Sequence, residues 1–141
     1  PQREFSDMFN LPYHSVCTTS THDMTPLRNW WKEDPEKTQR YYNHVLQRIG
    51  EAPDECTAEI VAQIISNHLK TRSMLTIIPL QDWFAMDDSI KRKDIESERI
   101  NVPANSTHYW RYRMHITLEQ LLQADNLNNK IVSLIKEAGR K

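Results

Sequence analysis

Residues 18–31, TTSTHDMTPLRNWW, place a His-Asp pair at the point where a run of small branched residues ends. The run begins a little earlier, because residues 15–21 read SVCTTST and carry no charge. Such a composition is typical of a short central strand in a sheet. His22 and Asp23 would then lie at the carboxyl end of this strand, where parallel sheets place their binding and catalytic groups. We therefore predict that this end of the strand is the functional edge of the sheet.

A second strand is predicted at residues 74–78, MLTII, which a proline ends. An unbroken apolar run of this kind is typical of a strand that is buried on both faces. Helical patterns separate the two strands, so we predict a βαβ unit in which the strands are parallel and the crossover is right-handed. This strand is also followed by polar residues, Gln81 and Asp82, which we expect at the same edge as the His-Asp pair.

Two helices are predicted between these strands. The first has Asp34 as its N-cap and Pro35 as its first residue, and we expect it to end at Gly50. Its predicted apolar stripe comprises Tyr41, Tyr42, Val45, Leu46 and Ile49. The second covers about residues 57–70 and ends in basic residues, which suit the negative end of a helix dipole.

The chain beyond the second strand is predicted to be irregular and then helical. Residues 85–107 are polar and include the charge run Lys91-Arg92-Lys93, which indicates a solvated loop. A loop of this length in a compact domain is usually functional or mobile. Thr117 and Gln120 are spaced as a capping box that opens a helix, and Gly139 is expected to end a last one.

The overall composition limits the function classes. The chain has 141 residues, 26% of them charged and 38% hydrophobic, with a formal net charge of -1, as expected for one ordinary folded domain. Near-neutrality argues against a nucleic-acid partner. Only two glycines occur, so a glycine-rich phosphate loop is excluded. No apolar run approaches the ~20 residues that span a bilayer, so we expect no membrane partner.

Cysteines and histidines give no sign of a metal, a cofactor or a disulfide framework. Cys17 and Cys56 lack the CxxC spacing, which favours a reducing, cytoplasmic location. The histidines are scattered without a HExxH motif or a Cys/His cluster, so we assign no metal ligands. They are His14, His22, His44, His68, His108 and His115.

Several motifs allow more than one interpretation. The His-Asp pair suits a functional site and a strand-end cap about equally well. Trp30 and Trp31 fit a helix entrance with core tryptophans better than a platform for sugars, because tryptophan is commonly mostly buried. WRYR, residues 110–113, could be a nucleic-acid surface, but its alternation also suits an extended segment with one packed face.

Three ordered motifs resemble the carboxyl-terminal part of the 4-alpha-glucanotransferases, the amylomaltase or disproportionating-enzyme family of glycoside hydrolases. They are TTSTHDMTPLRNWW at residues 18–31, SMLTIIPLQDWFAMD at residues 73–87 and ERINVPANSTHYWRYRMHITLEQLL at residues 98–122. The resemblance covers nearly all of the chain from about Val16 onward. The tryptophan pair and the form of the third motif are more similar to the long bacterial and plant cytosolic branch, which carries amino-terminal starch-binding modules.

The resemblance implies a (β/α)8 TIM barrel, of which this chain would hold about strands seven and eight with their helices. It implies retaining transfer of an α-1,4-glucan segment to the 4-hydroxyl of another glucan or of glucose, without a cofactor. Asp23 matches the acid that stabilises the oxocarbenium-like transition state, and His22 matches its neighbouring donor to sugar hydroxyls. Asn101 and Pro103 would line the glucan cleft, with Gln81 and Asp82 supporting the strand end.

The resemblance also implies that residues 1–141 are not a complete catalytic domain. The nucleophile and the acid/base of the family lie on earlier strands, and their motifs do not occur here, so Asp82 and Glu98 are not assigned to those roles. We expect the chain alone to be inactive, and to self-associate through open sheet edges or to have loosely packed termini. The alternative function is a stand-alone carbohydrate-binding or interaction module, with Trp30, Trp31 and Trp110 stacking on sugars.

Overall fold

The computed structural model describes residues 4–140, which form a two-stranded parallel sheet packed with helices. The strands are β1, Val16–Cys17, and β2, Leu75–Thr76. The α-helices are α1, Leu27–Glu33, α2, Pro35–His44, α3, Ala58–Leu69, α4, Leu80–Phe84, α5, Leu118–Leu122, and α6, Asp125–Glu137. Two short 3-10 helices cover Met8–Asn10 and Glu96–Glu98. The predicted order of strand, helices and strand is confirmed.

The two strands pair in parallel, as predicted, with Val16 opposite Leu75 and Cys17 opposite Thr76. Both are shorter than predicted, and the expected burial of the second strand on both faces is wrong. Leu75 is 48% exposed and Ile77 is 58% exposed. The reason is that no third strand flanks this pair within residues 4–140, so apolar side chains suited to a larger sheet lie at its surface.

The helix starts follow the predicted capping chemistry. The Asp34 side chain accepts a hydrogen bond from the Lys37 amide at 3.0 Å, and Thr57 accepts one from the Ile60 amide at 3.3 Å. Thr117 and Gln120 form the complete capping box. Each of these side chains bonds a backbone N–H that the first turn of a helix leaves without a partner.

The predicted end of the first helix is wrong. Helix α2 ends at His44 instead of continuing to Gly50, and Gln47 then adopts a positive φ of 55°. The left-handed backbone at Gln47 turns the chain away from the helix axis. Ile49 is consequently 98% exposed and does not join the apolar stripe, whereas Tyr41 and Leu46 are buried in the core.

The hydrophobic core lies between the helices, with α3 at its centre. The α3 residues that are buried are Ile60, Val61, Ile64, Ile65 and Leu69. Trp31 is buried against them, and its indole N–H donates to the Pro53 carbonyl at 2.8 Å. Trp30 is half-buried and meets the Tyr41 ring edge-on at 5.1 Å. The interpretation of a helix entrance with core tryptophans is therefore confirmed.

The carboxyl-terminal half is largely irregular until α5, as predicted. Residues 85–107 contain turns and the single 3-10 turn Glu96–Glu98. Helix α6 ends just before Gly139, whose φ of 68° is the left-handed conformation common after a helix. Arg140 then donates to the backbone carbonyls of Thr71 at 2.9 Å and Ser73 at 2.8 Å. Within residues 4–140, no helix combines the length and apolar character needed to cross a membrane.

Candidate functional site

A cleft of about 350 Å³ opens at the carboxyl ends of β1 and β2. Its lining includes Val16 of β1, Ile77 directly after β2, and residues of the segments that follow the strands, among them His22, Gln81 and Glu98. The structure thus brings the ends of both strands to one edge, which is where the sequence placed the functional groups. The chemistry of this cleft depends on the side chains at its rim and beneath it.

His22 and Asp23 lie in a turn at the rim, five residues beyond the end of β1 and not on the strand itself. The turn is closed by a hydrogen bond from the Met24 amide to the Thr21 carbonyl at 3.1 Å. His22 Nε2 is 3.3 Å from Asp23 Oδ2, and both side chains are 52% exposed. The pair is therefore open to a ligand while its two members fix each other's orientation.

Asn101 comes from a segment 78 residues further along the chain and meets Asp23 at this rim. Its Nδ2 donates to Asp23 Oδ1 at 2.6 Å. The two carboxylate oxygens of Asp23 are thereby held by different neighbours, Oδ1 by Asn101 and Oδ2 by His22. A carboxylate fixed in this way holds a stationary negative charge beside the cleft, between the lining residues His22 and Met24. A fixed charge is what stabilisation of a cationic transition state requires.

Two further residues of the same segment, Trp110 and Pro103, differ in their relation to the rim. Trp110 is 60% exposed, and its ring centroid lies 5.0 Å from that of His22 at an interplanar angle of 47°. Pro103 is exposed and, like Asp23, Asn101 and Trp110, is not among the residues that line the cleft, whereas His22 is. Asp23, Asn101 and Trp110 are joined to one another or to His22 by the contacts given above. The geometry therefore gathers His22, Asp23, Asn101 and Trp110 and leaves Pro103 outside the group.

Asp82 lies beneath the site, in the first turn of α4 and not in an extended strand end as the sequence suggested. It is buried, and its carboxylate accepts hydrogen bonds from the Thr19 hydroxyl and, at 2.9 Å, from the Leu27 amide. Burial raises the pKa of Asp82, and the hydrogen bonds from Thr19, Leu27 and Ser20 oppose that rise. Asp82 thus ties the segment on both sides of the His-Asp pair to α4.

Glu98 forms a buried ion pair with Arg28 that sequence reasoning did not identify. Arg28 Nη1 lies 3.1 Å from Glu98 Oε1 and also donates to the Arg92 carbonyl at 2.7 Å. Glu98 is 2% exposed, and no described residue bonds its other oxygen, Oε2. Gln81 Nε2 donates to the Glu98 carbonyl at 3.1 Å. The only available signal was the motif at residues 98–105, because Glu98 otherwise resembles the exposed charges around it.

Burial raises the pKa of Glu98 to about 7, and the neighbouring Arg28 acts in the opposite direction. A folded-state pKa above the ordinary 4.5 means that the folded chain binds more protons than the unfolded chain between these values. The contribution of Glu98 to the free energy of unfolding therefore falls as the pH rises from about 4.5 to about 7. Arg28 limits this loss by pairing with the ionised form.

Replacing Arg28 with Met is expected to lower the free energy of unfolding by about 3–5 kcal/mol at pH 8, because Glu98 would remain as a buried charge without a partner. At pH 5.5 the loss should be much smaller, since Glu98 is then protonated. Urea unfolding followed by tryptophan fluorescence at both pH values measures the difference. Adding Glu98→Gln to the Arg28→Met variant should restore most of the stability at pH 8. Equal losses of stability at pH 5.5 and pH 8 would contradict the pairing of Arg28 with an ionised, buried Glu98.

A sequence model of one family, described as 4-alpha-glucanotransferase, matches residues 1–119. The chain belongs to the 4-alpha-glucanotransferase family. This confirms the resemblance seen in the three motifs. The matched region contains the His-Asp turn, the Asp82 helix and the Asn101 segment.

Individual 4-alpha-glucanotransferases align with most or nearly all of this chain. The alignment covers only a small part of each relative. The enzyme named 4-alpha-glucanotransferase DPE2 from Oryza sativa subsp. japonica is 38% identical over 140 residues, which are 99% of this chain and 15% of the relative. The 4-alpha-glucanotransferase of Chlamydia trachomatis serovar D is 31% identical over 123 residues, 85% of this chain and 22% of the relative. The chain thus spans less than a quarter of either.

A solved structure has a similar fold, again over nearly all of this chain and a small part of its own. An amylomaltase from Streptococcus agalactiae, determined in complex with acarbose, superposes with a TM-score of 0.70 at 18% sequence identity. The superposition covers 95% of this chain and 23% of the amylomaltase chain. The prediction of a partial α/β fold is therefore confirmed.

Proposed function

We propose that the chain is the carboxyl-terminal part of a 4-alpha-glucanotransferase catalytic (β/α)8 barrel, with β1 and β2 as strands seven and eight. Family membership, the parallel pairing of the strands and the superposition on part of an amylomaltase support this placement. In such a barrel the carboxyl ends of the strands face the substrate. The cleft and its His-Asp rim lie at that end of this pair.

The proposed reaction is retaining transfer of an α-1,4-glucan segment from a donor maltodextrin to the 4-hydroxyl of an acceptor glucan or glucose. The observation that carries it is the Asp23 carboxylate, which is exposed at the cleft rim and held by Asn101 and His22. The transition state of glycoside cleavage resembles an oxocarbenium ion. A fixed carboxylate that binds sugar hydroxyls beside this cation lowers the barrier, and the imidazole of His22 contributes a further hydrogen bond.

The nucleophile and the acid/base are proposed to come from other barrel strands. A retaining enzyme needs two carboxyl groups ~5–5.5 Å apart on opposite sides of the scissile bond. Asp82 and Glu98 are buried, and hydrogen bonds or an ion pair to the protein occupy them. Asp23 is therefore the acid of this chain that is open to a sugar at the cleft rim.

The proposed partners are α-1,4-glucans, maltodextrins and glucose, and the proposed location is the cytoplasm, which suits the free thiols of Cys17 and Cys56. The exposed apolar side chains Val16, Leu75 and Ile77 would pack against the remaining barrel. In the isolated chain they would favour self-association.

The transfer reaction is tested by incubating the full-length protein that contains this chain with maltotriose. We expect glucose together with maltodextrins longer than the substrate, separated by anion-exchange chromatography. Glucose and maltose alone would indicate hydrolysis and contradict the proposal. A protein that binds maltodextrin in calorimetry without releasing any product would support the alternative of a binding module.

The observation that favours sugar stacking is the exposed Trp110 ring beside His22. Trp110→Ala in the full-length protein should raise KM for maltotriose by about 2- to 12-fold, the effect of one aromatic contact, with little change in kcat. Tyr109→Ala is the matched control, since Tyr109 is also exposed but its ring lies against Arg111. An unchanged KM for Trp110→Ala would remove Trp110 from the sugar site. Trp31 is buried in the core and cannot stack on a ligand.

A further inference from the structure

Two distant segments of the chain meet at the rim, where Asn101 bonds Asp23 and the Trp110 ring lies 5.0 Å from the His22 ring. Asp23 follows β1, whereas Asn101 follows the 3-10 turn Glu96–Glu98, and their hydrogen bond is exposed to solvent. An exposed polar contact between two loops is weak by itself, because water competes for both groups. The precise placement of Asn101 against Asp23 therefore requires support from below.

Glu98 supplies a buried anchor three residues before Asn101. Its carboxylate pairs with Arg28, which lies five residues after Asp23 in α1. Its backbone carbonyl accepts the bond from Gln81 of α4. The pair is almost fully excluded from water, with the Arg28 and Glu98 side chains 10% and 2% exposed. Opposite charges attract more strongly in such surroundings than at the surface.

The charged groups around Glu98 come from each neighbouring segment. Arg28 approaches from α1, Arg92 from the loop before the 3-10 turn, and Asp82 from α4. Asp82 in turn accepts the Leu27 amide at the start of α1. The segment after Asp23 is thus tied to α4 by Asp82, and the segment before Asn101 is tied to α1 by Arg28.

We propose that Glu98 is a positioning residue for the glucan transfer: paired with Arg28, it holds the Asn101 segment so that Asn101 keeps Asp23 in its productive orientation. The inference rests on the proposed function, because the reaction is what reports the orientation of Asp23. Glu98 borders the cleft, but it is 2% exposed and its carboxylate pairs with Arg28, so it acts through Asn101.

The test is a double-mutant cycle in the full-length protein with maltotriose as substrate. Glu98→Gln keeps the shape of the side chain and removes its charge, and it is expected to lower kcat by about 10- to 100-fold, the cost of a small misplacement of a catalytic group. KM should change less than kcat, since the lost contact matters mainly in the transition state. In the Asn101→Ala background, Glu98→Gln should lower kcat less than about 2-fold further, because residues that act through one another are not additive.

Glu55→Gln is the matched control. Glu55 also pairs with a cation of α1, Lys32, at 3.2 Å, but both side chains are largely exposed. This variant should leave kcat unchanged, because an exposed ion pair contributes little. Circular dichroism shows whether Glu98→Gln folds. If it does not, Arg28→Lys enters the same cycle, because the compact, strongly hydrated ammonium of lysine suits this buried position less well than the guanidinium whose Nη1 contacts both Glu98 and the Arg92 carbonyl.

The outcomes separate this inference from the function on which it rests. If Glu98→Gln lowers kcat when Asn101 is present but hardly lowers it in the Asn101→Ala background, the positioning role is supported. Equal losses in both backgrounds, or a loss as large for Glu55→Gln, would overturn it while leaving the transfer reaction in place. A wild-type protein without any glucan transfer would overturn the proposed function and the inference together.

Discussion

Asp23→Asn in the full-length protein is expected to lower kcat by about 10²-fold or more while leaving the fold intact. Removal of one preorganised electrostatic group from a transition-state site has an effect of this size. The substitution is nearly isosteric and concerns a half-exposed side chain, so the amide can still accept from Asn101 while the negative charge is lost. Initial rates of glucose release from maltotriose, with circular dichroism as the check on folding, measure the result.

His22→Ala provides the comparison for Asp23→Asn. It removes one hydrogen-bonding group, at 3.3 Å from Asp23 Oδ2, and leaves the carboxylate charge in place. The loss of kcat should therefore be smaller than for Asp23→Asn. Near-normal transfer by Asp23→Asn would rule out its proposed role, and a larger effect of His22→Ala would mean that the two roles are reversed.

Residues 1–141 expressed alone are expected to transfer no glucan at any pH. Retaining transfer needs a nucleophile and an acid/base. The carboxylates of Asp82 and Glu98 are buried and held by protein groups, Asp82 by the Leu27 amide and Glu98 by Arg28, so neither is free for these roles. Incubation with maltotriose followed by chromatography measures this, with the full-length protein as the positive control. New glucose or longer maltodextrins, from a preparation free of host enzymes, would show that this chain holds the missing carboxylates after all.

The sequence predicted the helices well where local chemistry determines them. Asp34 caps α2 as predicted, and the helix expected from about residue 57 begins with Thr57 as its cap. The end of α2 was not predictable in the same way. Nothing in its apolar spacing shows that Gln47 would adopt a positive φ, because that conformation depends on what the following segment packs against.

The strands were predicted in type and direction but not in length or burial. Residues 74–78 have the composition of a doubly buried strand, yet their exposure depends on neighbouring strands that residues 4–140 do not provide. These residues are apolar because they suit the larger sheet proposed above. They are exposed because the sheet formed by residues 4–140 has only two strands.

The sequence named His22, Asp23 and Asn101 as site residues and Gln81 and Asp82 as their support, but it did not anticipate the ion pair of Arg28 and Glu98. His22 and Asp23 were recognisable because they follow a strand pattern, and Asn101 because of a motif. The partners Arg28 and Glu98 lie 70 residues apart, and each stands among residues of similar polarity. Which charges become buried together is decided by tertiary packing, and a single sequence carries no local signal of it.

The order in which this chain can fold follows from the separation of its paired segments. The Ser15 and Ser73 hydroxyls, beside β1 and β2, are hydrogen-bonded at 2.8 Å although 58 residues separate them, and the bonds of Arg140 to Thr71 and Ser73 span 69 and 67 residues. Closing such long loops costs chain entropy before any contact compensates for it, so non-local pairings form slowly. We expect helices α1 and α2, which are adjacent in sequence and in contact, to pack early. The strand pair and the rim that joins Asp23 to Asn101 should assemble late. The rate at which new molecules acquire a working site is then set by loop closure, and a nascent chain exposes its apolar strand residues to aggregation throughout that interval.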